Sequence, residues 1–133
     1  MPQINAKQTQ IEPLSHRETT CRIIGAAFEV HNTLGHGFLE KVYQRVMQVE
    51  LIKRGSSAET ETSVQVLYKN AVVGEYYADL FVDGCVIVEI KVAKCYHAPD
   101  EAQLLNQLKA TGIKVGVLVN FGRERVEYKR MIF

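Results

Sequence analysis

The spacing of hydrophobic positions changes several times along this chain. Apolar residues recur at helical intervals from residue 15 to residue 53, alternate with polar ones from 64 to 92, and return to helical intervals from 99 to 111. Alternation resumes between residues 115 and 132. The pattern predicts two helices, three strands, a third helix, a fourth strand and a short fifth strand. That order is typical of an α/β domain in which helices flank a mixed central sheet.

Local signals mark the ends of the first helix. Residues 1–13 are polar and aperiodic, which predicts a mobile N-terminal tail ahead of a single domain covering 14–133. Ser15 and Glu18 form a capping box that starts the helix, because each side chain can accept a bond from the other residue's free backbone N–H. Gly35 ends it.

The second helix is predicted from near residue 38 to residue 53, with cations at its C-terminal end, where they favour the helix dipole. Its periodicity predicts an apolar side made of Leu39, Val42, Tyr43, Val46 and Val49. Glu40 and Tyr43 lie three residues apart and therefore on one side of this helix.

Composition allows a folded core without a strong charge bias. The chain has 133 residues, 47% of them hydrophobic, and a domain of that size buries roughly two-thirds of its unfolded surface. Sixteen Lys and Arg nearly balance fifteen Asp and Glu, so a nucleic-acid partner would have to be held by a local basic face. The C-terminal half is the better candidate for such a face, with Lys94, Lys109, Lys114, Arg123, Arg125, Lys129 and Arg130.

Cysteine usage and hydropathy indicate the compartment. The three cysteines form no CxxC pair, which argues against a disulfide framework and favours a reducing, cytoplasmic location. No apolar run approaches the roughly 18 residues of a membrane span, and no apolar signal region begins the chain, so we expect no membrane association.

Three charged residues interrupt the apolar strands. Asp79, Glu89 and Lys91 stand in the stretch YYADLFVDGCVIVEIKVAK, where a buried strand would normally have Val or Ile. Burying a charge costs several kcal/mol unless the charge is paired or binds a metal. Glu89 and Lys91 share one face of their strand, because side chains alternate. The three residues therefore suggest a metal site with an adjacent cation.

Whether Asp79 joins that face depends on the turn between the strands. A two-residue turn at Asp83 and Gly84 would set Asp79 opposite Val88, on the wrong face. A three-residue loop over 82–84, with Gly84 left-handed, would pair Asp79 with the residue two before Glu89 and make the two carboxylates diagonal neighbours. The metal-site hypothesis predicts a three-residue loop.

The chemistry of these groups suits a hard cation. Carboxylate oxygens favour Mg²⁺ or Mn²⁺, which can polarise a phosphoryl oxygen and activate a water molecule. Lys91 would orient that water or stabilise charge on phosphorus. From the residues alone, a buried ion pair between Lys91 and Glu89 or Asp79 is an equal alternative.

Several segments resemble a known family. DLFVDGCVIVEIK resembles the core of the PD-(D/E)XK nuclease-like superfamily, with Ala78-Asp79 where Pro-Asp is usual. GFLEKVY (37–43) is similar to the signature of the GxxExxY proteins, and further matching blocks are His97, AQLLN (102–106), LKATG (108–112) and GVLVNFG (116–122). The resemblance implies a restriction-endonuclease-like αβββαβ core with an extra N-terminal helix.

The resemblance also implies roles for individual residues. Asp79 and Glu89 would hold the metal, Lys91 would be the catalytic cation, Glu40 an auxiliary metal ligand and Gln103 an amide lining the site. Gln107 stands where such nucleases tend to have Tyr. Tyr43 is expected to be a core or groove-wall aromatic, and His36 and His97 are expected to be solvated or capping side chains unless they reach the substrate.

The resulting hypothesis is cleavage of DNA phosphodiesters with Mg²⁺ or Mn²⁺. A homodimer is compatible with it, because one small domain cuts only one strand. The alternative is a non-catalytic module of the same fold that binds nucleic acid or a protein partner. Gln107 and the missing proline before Asp79 leave this alternative open.

Overall fold

The computed structural model describes the side chains of residues 16–95 and 97–133. The predicted tail at 1–13 and the predicted helix start at Ser15 lie outside these residues and stay predictions. The helices are α1 (Pro2–Leu34), α2 (Glu40–Lys53) and α3 (Ala98–Thr111), and the strands are β1 (Ala58–Tyr68), β2 (Ala71–Val82), β3 (Val86–Lys91), β4 (Val115–Asn120) and β5 (Glu127–Ile132). Within the described residues, no helix combines the length and the apolar character needed to cross a membrane.

The strands form one mixed sheet in chain order, β1-β2-β3-β4-β5. Neighbouring strands are antiparallel except β3 and β4, which are parallel and joined through α3. A parallel pair needs such a crossover because no tight turn can connect strands that run the same way. The predicted α/β architecture with a mixed sheet between helices is confirmed.

Two hydrophobic cores lie on opposite faces of the sheet. The larger core packs α1 and α2 against β2, β3 and β4, while the smaller one packs α3 against the other face. Alternation along β3 assigns the side chains, since Val88 and Ile90 belong to the larger core and Ile87 to the smaller one. Glu89 and Lys91 therefore extend toward the α3 face. Gly116 of β4 lets α3 approach closely, because a Cβ there would come within 3.1 Å of Leu104.

The apolar side predicted for α2 is only partly correct. Tyr43 is fully buried, but Leu39 is 77% exposed and Val49 54% exposed. The side that packs on the sheet has Gln44, Met47 and Leu51 in addition to Tyr43. The prediction failed because it counted only apolar positions, whereas the polar Gln44 is buried and hydrogen-bonded to β2.

The loop between β2 and β3 has three residues, as the metal-site hypothesis required, but it is displaced by one position. Val82 pairs with Val86, so the loop is 83–85 rather than 82–84. Val82 stays in the strand because its apolar side chain is fully buried. Asp83 and Gly84 adopt left-handed backbone angles, with φ of +53° and +66°.

Asp83 anchors this loop to the rest of the domain. Its carboxylate accepts hydrogen bonds from Thr19 Oγ1 at 2.8 Å and from the Ser57 backbone N–H at 2.9 Å. Ser56 Oγ also donates to it at 3.3 Å. These contacts connect the loop to α1 and to the start of β1, so they hold the register of the β2–β3 hairpin.

Candidate active site

The sheet opens at Asp79. On the β1 side the pairing skips Glu61, which lies opposite and has a left-handed φ of +52°. On the β3 side the pairing stops one residue short of Asp79, and the same register would set Asp79 opposite Glu89. The side-chain alternation is also interrupted, since Ala78 packs in the α3 core and Leu80 in the other. β2 therefore separates from both neighbours at one residue.

Side-chain hydrogen bonds replace the backbone hydrogen bonds that β2 lacks at Asp79. Asp79 Oδ2 accepts from the Ile90 N–H at 2.8 Å. The Asp79 N–H favours the charged form of the Glu89 carboxylate, and the Asp79 carbonyl accepts from Gln44 Nε2 at 2.8 Å. A buried backbone group must find some partner, and here the partners are carboxylates and an amide rather than the next strand. This exchange brings Asp79 and Glu89 together in a fixed orientation.

The start of α2 is held beside this opening by Tyr43. The ring is buried and stacks on Phe121, with centroids 4.5 Å apart and planes 5° apart. Its hydroxyl donates to the Gly35 carbonyl at 2.6 Å, which fixes the loop that precedes α2. Tyr43 is the core aromatic that the sequence predicted. Through it, Glu40 in the first turn of α2 is directed to the site.

Glu40 lies at the exposed rim of the site. Partial desolvation raises the pKa of Glu40, and the negative charge of Asp79 raises it further. Lys91 lowers it and Asp100 raises it. Apart from its neighbour Lys41, which lowers the pKa, the charges that act on Glu40 come from β2, β3 and α3, so the α2 carboxylate faces the other acidic groups.

Glu89 is the most strongly perturbed carboxyl group. Burial raises its pKa to about 7, against an ordinary value of 4.5, although Lys91 and the Asp79 N–H favour the charged form. Burial also raises the pKa of Asp79, while the Ile90 N–H and Lys91 oppose the change. Desolvation outweighs the local donors in both cases. The site is short of positive charge.

Lys91 does not neutralise Glu89 directly. Its Nζ lies 3.9 Å from Asp100 Oδ1, and within the described residues the closest ion pair of Lys91 is with this carboxylate. The Lys91 side chain is 33% exposed, so the pair is solvated in part and adds little stability. Asp100 stands in the first turn of α3, where a negative charge is favoured. The arrangement leaves Lys91 beside Glu89 with its ammonium group accessible.

Helix α3 covers the face of the sheet from which Glu89 and Lys91 extend. A cavity of about 40 Å³ lies between β3 and α3, and its polar lining comes from Glu89, Lys91, Asp100, Gln103 and Gln107. Gln103 lines this cavity, and its role as a site amide, which the family resemblance implied, stays a prediction. Gln107 lines the same cavity, so the position at which related nucleases have Tyr also faces the site.

The chemistry of the donor set fits a divalent cation. Glu89 Oε1 is buried and has no hydrogen-bond partner in the protein, which is an unfilled acceptor next to Asp79. An unpaired buried carboxylate oxygen is costly, and a hard cation would satisfy it. Within residues 16–95 and 97–133, no three acidic, histidine or cysteine side chains are grouped closely enough to hold a metal ion between them. The unfilled oxygen therefore fits a cation that takes few protein ligands and keeps water.

The other candidate residues lie around the site rather than in it. His97 is exposed and precedes α3 as its N-cap residue without a capping hydrogen bond from its side chain. His36, Lys94, Arg123 and Arg125 line one groove beyond the carboxyl ends of β3 and β4. The remaining candidate cations are distributed more widely: Arg130 Nε contacts Thr20 Oγ1 of α1 at 3.4 Å, and Lys109 and Lys114 are exposed around the end of α3.

Sequence reasoning missed three residues that shape the site. Gln44 and Asp100 were not among the candidates, and Asn120 was included only within a matching block. Asn120 joins the two chain segments that leave the sheet, since its Oδ1 accepts from the Ala93 N–H and its Nδ2 donates to the Ala93 carbonyl, both at 2.9 Å. The available signal for Gln44 was its position, at helical spacing, on the face of α2 that also has Met47 and Leu51.

Comparison with known proteins agrees with this geometry. A model of the PD-(D/E)XK nuclease superfamily matches residues 17–131, which is most of the chain. No curated protein and no solved structure matches the sequence. With a family match over nearly all of the domain, together with carboxylates and a lysine at an opened β-hairpin, the chain belongs to the PD-(D/E)XK nuclease superfamily.

Proposed function

We propose that this protein is a metal-dependent nuclease of the GxxExxY type that hydrolyses phosphodiester bonds in DNA in the cytoplasm. The observation that carries the proposal is Glu89 Oε1, a buried acceptor without a partner on a carboxyl group whose pKa is raised to about 7. A buried charge that is left short of a counter-ion is a functional-site signature. It favours a cation site over a structural ion pair.

The ion-pair alternative predicts a different position for the Lys91 ammonium group. A structural pair would bring the Lys91 ammonium into contact with Glu89 or Asp79, because only a close partner offsets the desolvation of a buried charge. The ammonium instead lies 3.9 Å from Asp100, at the mouth of the site. A bridging cation is therefore the better account of Glu89.

Each residue has a distinct part in the proposed mechanism. Asp79, oriented by the Ile90 N–H, and Glu89 would be the metal ligands, with Glu40 as an auxiliary ligand or as the holder of a metal-bound water. A bound Mg²⁺ or Mn²⁺ would polarise the phosphoryl oxygen and activate water. Lys91 stabilises negative charge on the phosphoryl oxygens as it develops, and Gln103 lines the site.

Cleavage assays with linear, branched and single-stranded DNA in Mn²⁺ or Mg²⁺ test this proposal. Lys91→Met should lower the rate by about 10²–10³-fold, the usual effect of removing one group that stabilises the transition state. Lys53→Met is the matched control, since it removes an exposed cation at the C-terminal end of α2, away from the site. Cleavage that survives Lys91→Met would contradict the mechanism.

Calorimetric titration with Mn²⁺ separates the catalytic protein from a non-catalytic module. The wild-type chain should bind the ion, and Asp79→Asn or Glu89→Gln should abolish binding. If no DNA is cut while a nucleic acid or protein partner still binds, the non-catalytic module is the correct interpretation. A homodimer remains a proposal for the active form, to be read from sedimentation with and without DNA.

A further inference from the structure

A second lysine lies beside the candidate active site. Lys41 is the second residue of α2, directly after Glu40, and its ammonium group forms an ion pair with Glu61 of β1. Glu61 lies opposite Asp79, at the residue where β2 separates from its neighbours. The ion pair therefore lies on the β1 side of Asp79, whereas Lys91 lies on the β3 side.

Neither residue of this pair is favourable for the local structure. The start of a helix has a partial positive charge, so a lysine in the first turn of α2 is disfavoured. Glu61 has a left-handed backbone, with φ of +52°, which disfavours any residue with a side chain. The pair itself adds little stability, because the Lys41 side chain is 65% exposed and that of Glu61 is 53% exposed. Stability therefore does not account for the two charges.

The charge of Lys41 acts on the carboxylates of the site. Burial is the main cause of the raised pKa of Asp79, and Lys41 is one of the groups that lower it. Burial also raises the pKa of Glu40, and Lys41 again opposes the change. The Lys41 ammonium is therefore near enough to the site to attract an anion that binds beside these carboxylates.

Lys41 and Lys91 are held in the same way. Lys91 pairs with Asp100 at 3.9 Å. Lys41 pairs with Glu61, and neither of these two carboxylates is a proposed metal ligand. Both ion pairs are partly exposed to solvent, so little free energy is needed to separate them. A phosphodiester group has the same charge as a carboxylate, so it can replace either partner.

We infer that Lys41 is a second phosphate-binding cation of the site and that Glu61 competes with the substrate for it. This inference rests on the proposed function and deepens it, because it assigns a further contact to the substrate strand. Lys91 acts at the phosphodiester that is cut, and Lys41, on the β1 side of Asp79, holds a neighbouring phosphate. Lys41 binds substrate and transition state equally, so it contributes to substrate binding rather than to the chemical step.

Fluorescence anisotropy with a short labelled DNA duplex tests the inference. The titrations use Ca²⁺ in place of Mn²⁺, and gel analysis confirms that the DNA stays intact. Lys41→Met should weaken binding and lower the slope of log K against log salt by about one phosphate contact. A fourfold rise in salt should therefore weaken the variant about 3.5-fold less than the wild type. Lys41→Arg retains the charge and should retain the slope.

Glu61→Gln should have the opposite effect, because it frees Lys41 for the phosphate. The affinity for DNA should rise, and the double variant Lys41→Met/Glu61→Gln should bind as weakly as Lys41→Met alone. Glu50→Gln is the matched control, since Glu50 also pairs with a cation, Arg54, but at the far end of α2. It removes the same negative charge and should leave the affinity unchanged.

The outcomes distinguish this inference from the proposed function. If Lys41→Met and Glu61→Gln lower the urea midpoint but leave DNA binding and its salt slope unchanged, the pair is structural and the inference is overturned, even where Lys91-dependent cleavage is observed. A wild-type protein that binds no DNA would overturn it as well. Conversely, Lys41-dependent binding without any cleavage would support the inference and refute the nuclease activity. Where DNA is cut, Lys41→Met should raise KM and leave kcat unchanged, whereas Lys91→Met lowers kcat.

Discussion

Replacing Glu89 by Gln should make the protein more stable at neutral and alkaline pH. The Glu89 carboxyl has a pKa of about 7 in the folded protein, against 4.5 for an ordinary glutamic acid, and burial is the main cause. Each pH unit of difference corresponds to about 1.4 kcal/mol. The ionised Glu89 therefore costs the folded state about 3 kcal/mol, and an amide of the same shape avoids this cost.

The sign of the effect follows from proton linkage. Because the folded-state pKa is the higher one, the folded protein binds the Glu89 proton more tightly than the unfolded chain does. The stability that this proton confers is fully present below pH 4.5 and is lost as the pH rises through about 7. The difference between Glu89→Gln and wild type should therefore grow across this window and stay constant above it.

Urea denaturation between pH 4 and pH 9, without divalent cations, measures the difference directly. Glu40 and Asp79 also have raised pKa values, but they are present in both proteins and their effects largely cancel. Glu29→Gln, an exposed α1 variant, is the charge-matched control and should parallel the wild type. Parallel curves for Glu89→Gln and wild type would refute the conclusion that Glu89 is a destabilising buried charge. Adding Mn²⁺ at a hundred times its Kd should stabilise the wild type by about 2.7 kcal/mol and leave Glu89→Gln unchanged.

Three further predictions concern the frame of the site. Gly122→Ala should destabilise the fold by about 1–3 kcal/mol in urea, because its Cβ would lie 2.5 Å from neighbouring backbone, whereas Gly74→Ala, with open space around it, should not. Asp100→Asn should lower the pKa of Glu40 in a carbon-detected NMR titration, since the Asp100 charge raises it. An unchanged Glu40 pKa would show that the Asp100 charge does not act on Glu40. Gln44→Ala should cost about 1–3 kcal/mol in urea, because it leaves a buried β2 carbonyl without a donor, and an unchanged midpoint would show that this bond is dispensable.

The order of helices and strands was predictable because the hydrophobic period is clear in each element. The three-residue length of the β2–β3 loop was predictable too, since only a loop with an odd number of residues puts Asp79 and Glu89 on the same face of the sheet. The exact loop was not, because that depends on Asp83, whose side chain bonds to Thr19 and to Ser57, far away in sequence. Such long-range contacts leave no periodic trace.

The candidate site was predictable in its centre and not in its surroundings. Asp79, Glu89 and Lys91 stand out because charges are rare in apolar strands. Gln44 and Asp100 do not stand out, because a glutamine on a helix and an aspartate in a first helical turn have ordinary solvated roles in most proteins. Only the tertiary structure shows that Gln44 bonds to the Asp79 carbonyl and that Asp100 pairs with Lys91.

The opened hairpin also explains why stability and site chemistry are coupled in this fold. At Asp79 the sheet gives up pairing on both sides, and Glu61 opposite it adopts a left-handed backbone that disfavours a residue with a side chain. Asp79 accepts from the β3 backbone and Gln44 donates to the freed Asp79 carbonyl, so a carboxylate of the candidate cation site also holds the strands together. A cation bound there would offset the buried charge of Glu89 and leave the Asp79 bond to β3 in place. The folded sheet and the occupied site would then stabilise each other, which a purely structural ion pair between Lys91 and a single carboxylate would not achieve.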